Sequence, residues 1–90
     1  MGSGRMKRSL EAGAIPKLTR NTLSLSRVIA RGDRIRDVAR LVRTYGGKRS
    51  RWAKKSSPMF VAGNERCEFH WYEHPGIGRV ELKRKRIGPV

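Results

Sequence analysis

This 90-residue chain has one cysteine, few acids and no long apolar run, and each scarcity excludes something. With Cys67 alone there is no internal disulfide and no zinc site of paired cysteines, a pattern that fits a reducing compartment. No apolar stretch approaches the roughly 20 residues that a membrane helix needs. Met1-Gly2-Ser3-Gly4 reads as a tag scar, and nothing after it has the form of a signal peptide. The reading is of a domain taken from something larger. Apolar residues make up only 37% of the chain, enough for one domain with a small interior. Trp52, Phe60, Phe69, Trp71 and the Ile, Val and Leu set are the candidates to fill it. There is no internal repeat, and the basic tail Lys83 to Arg86 is the one biased tract.

The shortage of acids is the most consequential. Seven Asp and Glu stand against 22 Lys and Arg, giving a net charge of +15 and a pI near 11.6. A fold does not need such a charge, since self-repulsion opposes compactness. A polyanionic partner explains it, and nucleic acid is the commonest polyanion.

Along the chain, residues 1–20 read as a scar and a basic, Gly-containing lead-in, and 21–90 as a single domain. Thr22 to Arg31 places Leu25, Val28 and Ile29 at helical spacing, with Gly32 as a stop. Asp33 is suited to N-cap a second helix with Ile35, Val38, Ala39 and Val42 along one stripe and Leu41 and Tyr45 beside it. Gly46-Gly47 ends that helix. Beyond it the pattern turns to strands: Arg51 to Lys55, Met59 to Ala62, a turn at Gly63-Asn64, and then a hairpin. The expected fold is α+β, with two N-terminal helices packed on a twisted antiparallel sheet of three to four strands.

The hairpin carries the chemistry. Its first arm is Glu68 to His74, its turn Pro75-Gly76-Ile77-Gly78, and its second arm Arg79 to Lys85. A four-residue loop sets His74 opposite Arg79, Tyr72 opposite Glu81, His70 opposite Lys83 and Glu68 opposite Lys85. Side chains alternate between faces, so these eight residues share a polar face. Phe69, Trp71, Val80 and Leu82 form the apolar one. Both histidines of the chain therefore join a tyrosine, two carboxylates and several cations.

Such a group suits cleavage of RNA without a metal ion. A base takes the proton of the ribose 2′-hydroxyl, cations stabilise the phosphorane, and an acid protonates the leaving 5′-oxygen. Histidine fits either proton role because its reference pKa of ~6.5 lies near neutrality. His70 is the first candidate and Lys83 the cation opposite it, while Tyr72, His74 and Glu68 remain open for the second proton role. Arg51, Lys54, Lys55, Arg79 and Lys85 are candidate nucleic-acid contacts. No cofactor is expected and no metal site, because His70 and His74 stand about 13 Å apart on an extended strand. The plainer readings are that a strand histidine is a surface or hydrogen-bonded residue and that facing charges are ordinary cross-strand pairs. Cys67, Trp71 and Trp52 are expected to be core.

Four segments resemble a known family: Leu41-Val42-Arg43-Thr44-Tyr45-Gly46-Gly47, Trp52-Ala53-Lys54-Lys55, Glu68-Phe69-His70-Trp71-Tyr72-Glu73-His74, and Gly76-Ile77-Gly78-Arg79-Val80-Glu81-Leu82-Lys83. Their order over about residues 33–87 is similar to C-terminal toxin domains of bacterial polymorphic toxins, including those of contact-dependent growth inhibition. Such domains are often similar to the barnase/EndoU/colicin/RelE group of ribonucleases. The resemblance implies helices against a twisted sheet and metal-independent cleavage of RNA, frequently transfer RNA. It further implies delivery as part of a larger toxin, action in the cytoplasm of a target cell, and a cognate acidic immunity protein that blocks the site. Only His70 and Lys83, with Tyr72 and Glu68 behind them, carry over as site candidates. Two other readings compete: a non-catalytic basic module binding RNA or DNA, and a RelE-like toxin that cuts messenger RNA in the ribosome.

Overall fold

The computed structural model describes residues 18–90. The expected lead-in therefore lies outside the described residues, apart from its last three. The architecture is α+β, but its layout differs from the expected one. A single turn of helix, α1 (Arg20–Ser24), is followed by strand β1 (Arg27–Arg31), a 3-10 turn over Gly32–Arg34, and helix α2 (Val38–Tyr45). A second 3-10 turn, Arg49–Arg51, leads to β2 (Ala53–Ser56), β3 (Phe60–Ala62), β4 (Glu65–His74) and β5 (Gly78–Pro89). Among the described residues the sheet thus has five antiparallel strands rather than three or four. The principal helix comes after the first strand, so the expectation of two N-terminal helices is corrected.

The reasons are local. Thr19 caps α1, its hydroxyl accepting from Thr22 N, but the expected helix of 22–31 stops at Ser24. Ser24 and Ser26 turn their hydroxyls back on the carbonyls of Asn21 and Leu23, offering the backbone a non-helical alternative. The β-branched pair Val28-Ile29 then joins the sheet, where branching is favoured. In α2 the N-cap position falls to Asp37 rather than Asp33, and Ile35 enters the core from extended backbone. The buried stripe becomes Val38 and Leu41 with half-buried Val42, while Ala39 is exposed. Gly46, at φ 86°, closes the helix in a conformation that favours glycine, with its N–H on Val42 O.

β4 is the spine of the sheet. β2 and β3 lie end to end along one edge, pairing with 70–73 and 65–67, and β5 runs along the other. Ser57-Pro58 bridges β2 and β3. The Ser57 N–H donates to Phe69 O, and the Ser57 hydroxyl accepts from Phe69 N, each at 2.9 Å, so the ladder is continued by a side chain.

The hairpin turn is one residue tighter than expected. His74 pairs with Gly78, Glu73 with Arg79 and Tyr72 with Val80, and a bulge at Glu81 then restores the expected register of His70 with Lys83 and Glu68 with Lys85. Glu81 adopts a left-handed φ of 57°, unusual for a residue with a side chain. The bulge moves Val80 off the face of Trp71, against the expectation, and into the core of Ile35, Val38, Leu41 and Trp52 beneath α2. Leu82 is left 53% exposed. On the other face of the sheet Cys67, Phe69 and Trp71 are buried, with Phe60 against Phe69 at 4.9 Å between ring centroids. No helix among the described residues is long and apolar enough to cross a membrane.

Candidate active site

α2 has eight residues and so is about 12 Å long, whereas ten-residue β4 extends over about 33 Å. The helix therefore covers only the turn end of the polar hairpin face. Beyond it a groove of about 500 Å³ stays open, lined by Arg34, Asp37, Lys54, Tyr72, Lys83 and Lys85 among others. Asp37 is the single carboxylate residue of this lining.

Glu68 and His70 do not themselves line the groove, but their ladder partners Lys85 and Lys83 do. His70 Nε2 lies 3.1 Å from Glu68 Oε1, and each side chain keeps 13% of its surface exposed. Two further groups hold the carboxylate: Arg27 at 3.2 Å from Oε2, and the Ser56 hydroxyl at 2.9 Å from Oε1. The Ser56 hydroxyl has one proton and is also 2.8 Å from Ser57 O, so the two acceptors share it. Burial works to raise the Glu68 pKa, but the hydrogen bonds with His70, Ser56 and Arg27 outweigh it and hold Glu68 below the ordinary carboxylate value. An ionised carboxylate only accepts, so Nε2 carries the hydrogen and the Nδ1 lone pair of a neutral His70 is the basic position. Lys83 faces His70 across the ladder.

Tyr72 lies one alternation along the same face, between Lys54 and Val80. Its hydroxyl is 3.4 Å from Asp37 Oδ2, and the Lys54 ammonium is 6.0 Å from its ring centroid. Burial, followed by the Asp37 charge, raises its pKa, so Tyr72 stays a neutral phenol. Lys54 and Lys85 thus join His70, Lys83, Tyr72 and Glu68 on one face. Lys55 and Arg79 do not. Both flank Glu73 on the opposite face, at 3.5 and 3.9 Å, and Arg51 sits apart in the second 3-10 turn.

His74 is placed differently from His70. Its ring meets Trp52 edge-on at 5.3 Å, its Nδ1 accepts from Gly76 N at 3.0 Å, and its Nε2 is buried with no hydrogen-bond partner. A Cβ at Gly47 would come within 2.6 Å of that nitrogen. His74 joins the hairpin turn to the end of α2, away from the groove, so the structure does not bring it into the cluster expected from sequence.

One network escaped the sequence reading. Arg40 donates two bonds of 2.8 Å to the two oxygens of Glu81, and the Tyr45 hydroxyl donates to Glu81 Oε2 at 2.9 Å. Arg40 also lies 3.6 Å from Asp37. The bidentate bond from Arg40 is the leading cause that lowers Glu81 to about 2, against the opposing effect of burial. The clamp ties α2 to the bulge of β5 and, through Asp37, to Tyr72. The signal in the sequence is only Arg40 on the outer side of the helical stripe, a position where a cation is ordinarily solvated. Among the described residues no group of three or more His, Cys, Asp or Glu side chains is arranged to hold a metal ion. Comparison with family models, with curated proteins and with solved structures finds nothing that matches this chain.

Proposed function

We infer that this domain is a metal-independent endoribonuclease, and that it acts as the toxic part of a larger bacterial toxin after delivery into the cytoplasm of a target cell. The observation that carries the enzymatic reading is the oriented Glu68–His70 pair, whose ladder partners Lys85 and Lys83 line an open, cation-rich groove. Glu68 fixes the tautomer of His70, and Nδ1 takes the proton of the ribose 2′-hydroxyl. The 2′-oxygen attacks phosphorus, and Lys83 and Lys54 stabilise the phosphorane. The bond to the 5′-oxygen then breaks, leaving a 2′,3′-cyclic phosphate on one fragment. Tyr72 gives its proton to the departing 5′-oxygen, which is more basic than a phenolate even when the phenol pKa is raised. The toxin setting, transfer RNA as substrate and an acidic immunity protein over the groove are supported by the resemblance of segments within 33–87 and by the charge of +15.

The test is cleavage of transfer RNA by the purified domain in the presence of chelator. His70→Ala should lower the rate by about 10²–10⁴-fold, with thermal melts showing that the variant still folds. Full activity in that variant, or an absolute need for a divalent ion, overturns the mechanism. Binding without cleavage by the unaltered domain favours the non-catalytic module, and cleavage only on ribosomes favours the RelE-like reading.

A further inference from the structure

A second basic hollow of about 500 Å³ lies where the two 3-10 turns meet, lined by Arg31, Arg34, Lys48 and Arg49 with Gly32, Asp33 and Ser50. The turns pack backbone to backbone. Gly32 N donates to Trp52 O at 2.9 Å, and a Cβ on Gly32, whose φ is +57°, would stand 3.6 Å from Ser50 Cα. This close packing brings four cations from two separate segments around one hollow. A single acid, Asp33, faces them, and it is engaged by Arg49 at 3.2 Å. Among the described residues Arg31, Arg34 and Lys48 have no ion-pair partner. Gathering like charges costs the folded state stability, so an anion is the natural occupant. Arg34 lines both this hollow and the groove beside His70, which makes the two parts of one basic track.

We propose that this second hollow binds a backbone phosphate of the RNA away from the cleaved bond, so that the domain engages a strand several nucleotides long rather than a single linkage. The proposal rests on the groove being an RNA site, and it adds substrate length to that reading. Arg31 and Lys48 are exposed and touch neither His70 nor Glu68, so removing their charge leaves the groove itself unaltered. A strand that reaches only the groove is indifferent to them, whereas a strand that crosses Arg34 is not.

The experiment measures binding of 2′-O-methyl RNAs, which lack the attacking hydroxyl, to the unaltered domain and to an Arg31→Gln, Lys48→Gln double variant. A dinucleotide and a dodecamer are compared over a range of salt, with thermal melts to show that the variant folds. The dodecamer should bind the variant about tenfold more weakly, and its log–log salt slope should flatten by about 0.7 for each phosphate that the variant no longer neutralises. Dinucleotide binding should be unchanged. Equal weakening of both lengths overturns the proposal, because the effect is then a general field, as does unaltered dodecamer binding, because the hollow then serves another partner. The readout needs no catalysis. Cleavage of natural RNA with unaltered dodecamer binding by the variant refutes the track alone, whereas a length-dependent loss without cleavage refutes the enzymatic reading alone.

Discussion

His70 and His74 sit on the same strand and the same face, yet they occupy different surroundings. His74 lies at the end that α2 covers, its ring against Trp52 and its Nε2 enclosed without a partner. His70 lies beyond the reach of the helix, held by an ionised carboxylate and facing Lys83, which lines the groove. The same side chain packs against an aromatic ring at one end of the face and pairs with a carboxylate at the other. The divide is the length of an eight-residue helix. Where the helix covers the polar face the histidine packs, and where it does not a groove stays open.

The contrast can be broken most forcefully at the covered end. Trp52 is fully buried, and its indole N–H donates to Gly46 O at 3.1 Å. Trp52→Ala should cost about 3–5 kcal/mol of folding stability, read as a lowered denaturation midpoint. A loss below about 1 kcal/mol would mean that the helix does not depend on this anchor.

The next largest effect sharpens the difference between the histidines. Glu68→Gln keeps the shape of the pair but removes the charge that fixes the tautomer, and should slow cleavage on the order of 10²-fold. His74→Gln should do the reverse, lowering the melting temperature while the folded protein keeps its turnover. Rates and melts on the same preparations decide the matter. A His74 variant that melts normally but fails to cleave would exchange the two roles.

The smallest effect concerns the clamp between helix and sheet. Glu81 has a folded pKa of about 2 against an ordinary 4.5, so its contribution is fully present above 4.5 and fades as pH falls towards 2. Because the pair is partly exposed, Glu81→Gln should lower the melting temperature at neutral pH by only a few degrees. The gap between variant and unaltered protein should narrow through that acid window. A gap undiminished near pH 2 would show that the charge of Glu81 is not what the clamp uses.

Much of this was legible in the chain, because it depends on neighbours in sequence. Alternation from Glu68 to His74 placed His70, Tyr72 and Glu68 on one face, and Gly46-Gly47 marked the end of α2 because backbone at positive φ favours glycine. The large net charge was likewise legible without reference to any fold. Other features were decided by contacts distant in sequence. Val28 and Ile29 fit a helical stripe as well as a strand, and the free edge of β2 settled the choice by pairing with Arg27, Val28, Ala30 and Arg31 around a bulge at Ile29. The turn could be four residues or three. The tighter form displaced Val80 and left Glu81 in a left-handed bulge, held by Arg40 and Tyr45 from a helix about 40 residues earlier in the chain. Which histidine packs under the helix end, against Trp52, depended on where α2 ends over the sheet. Periodicity assigns a side chain to a face, but only tertiary packing determines whether that face is covered.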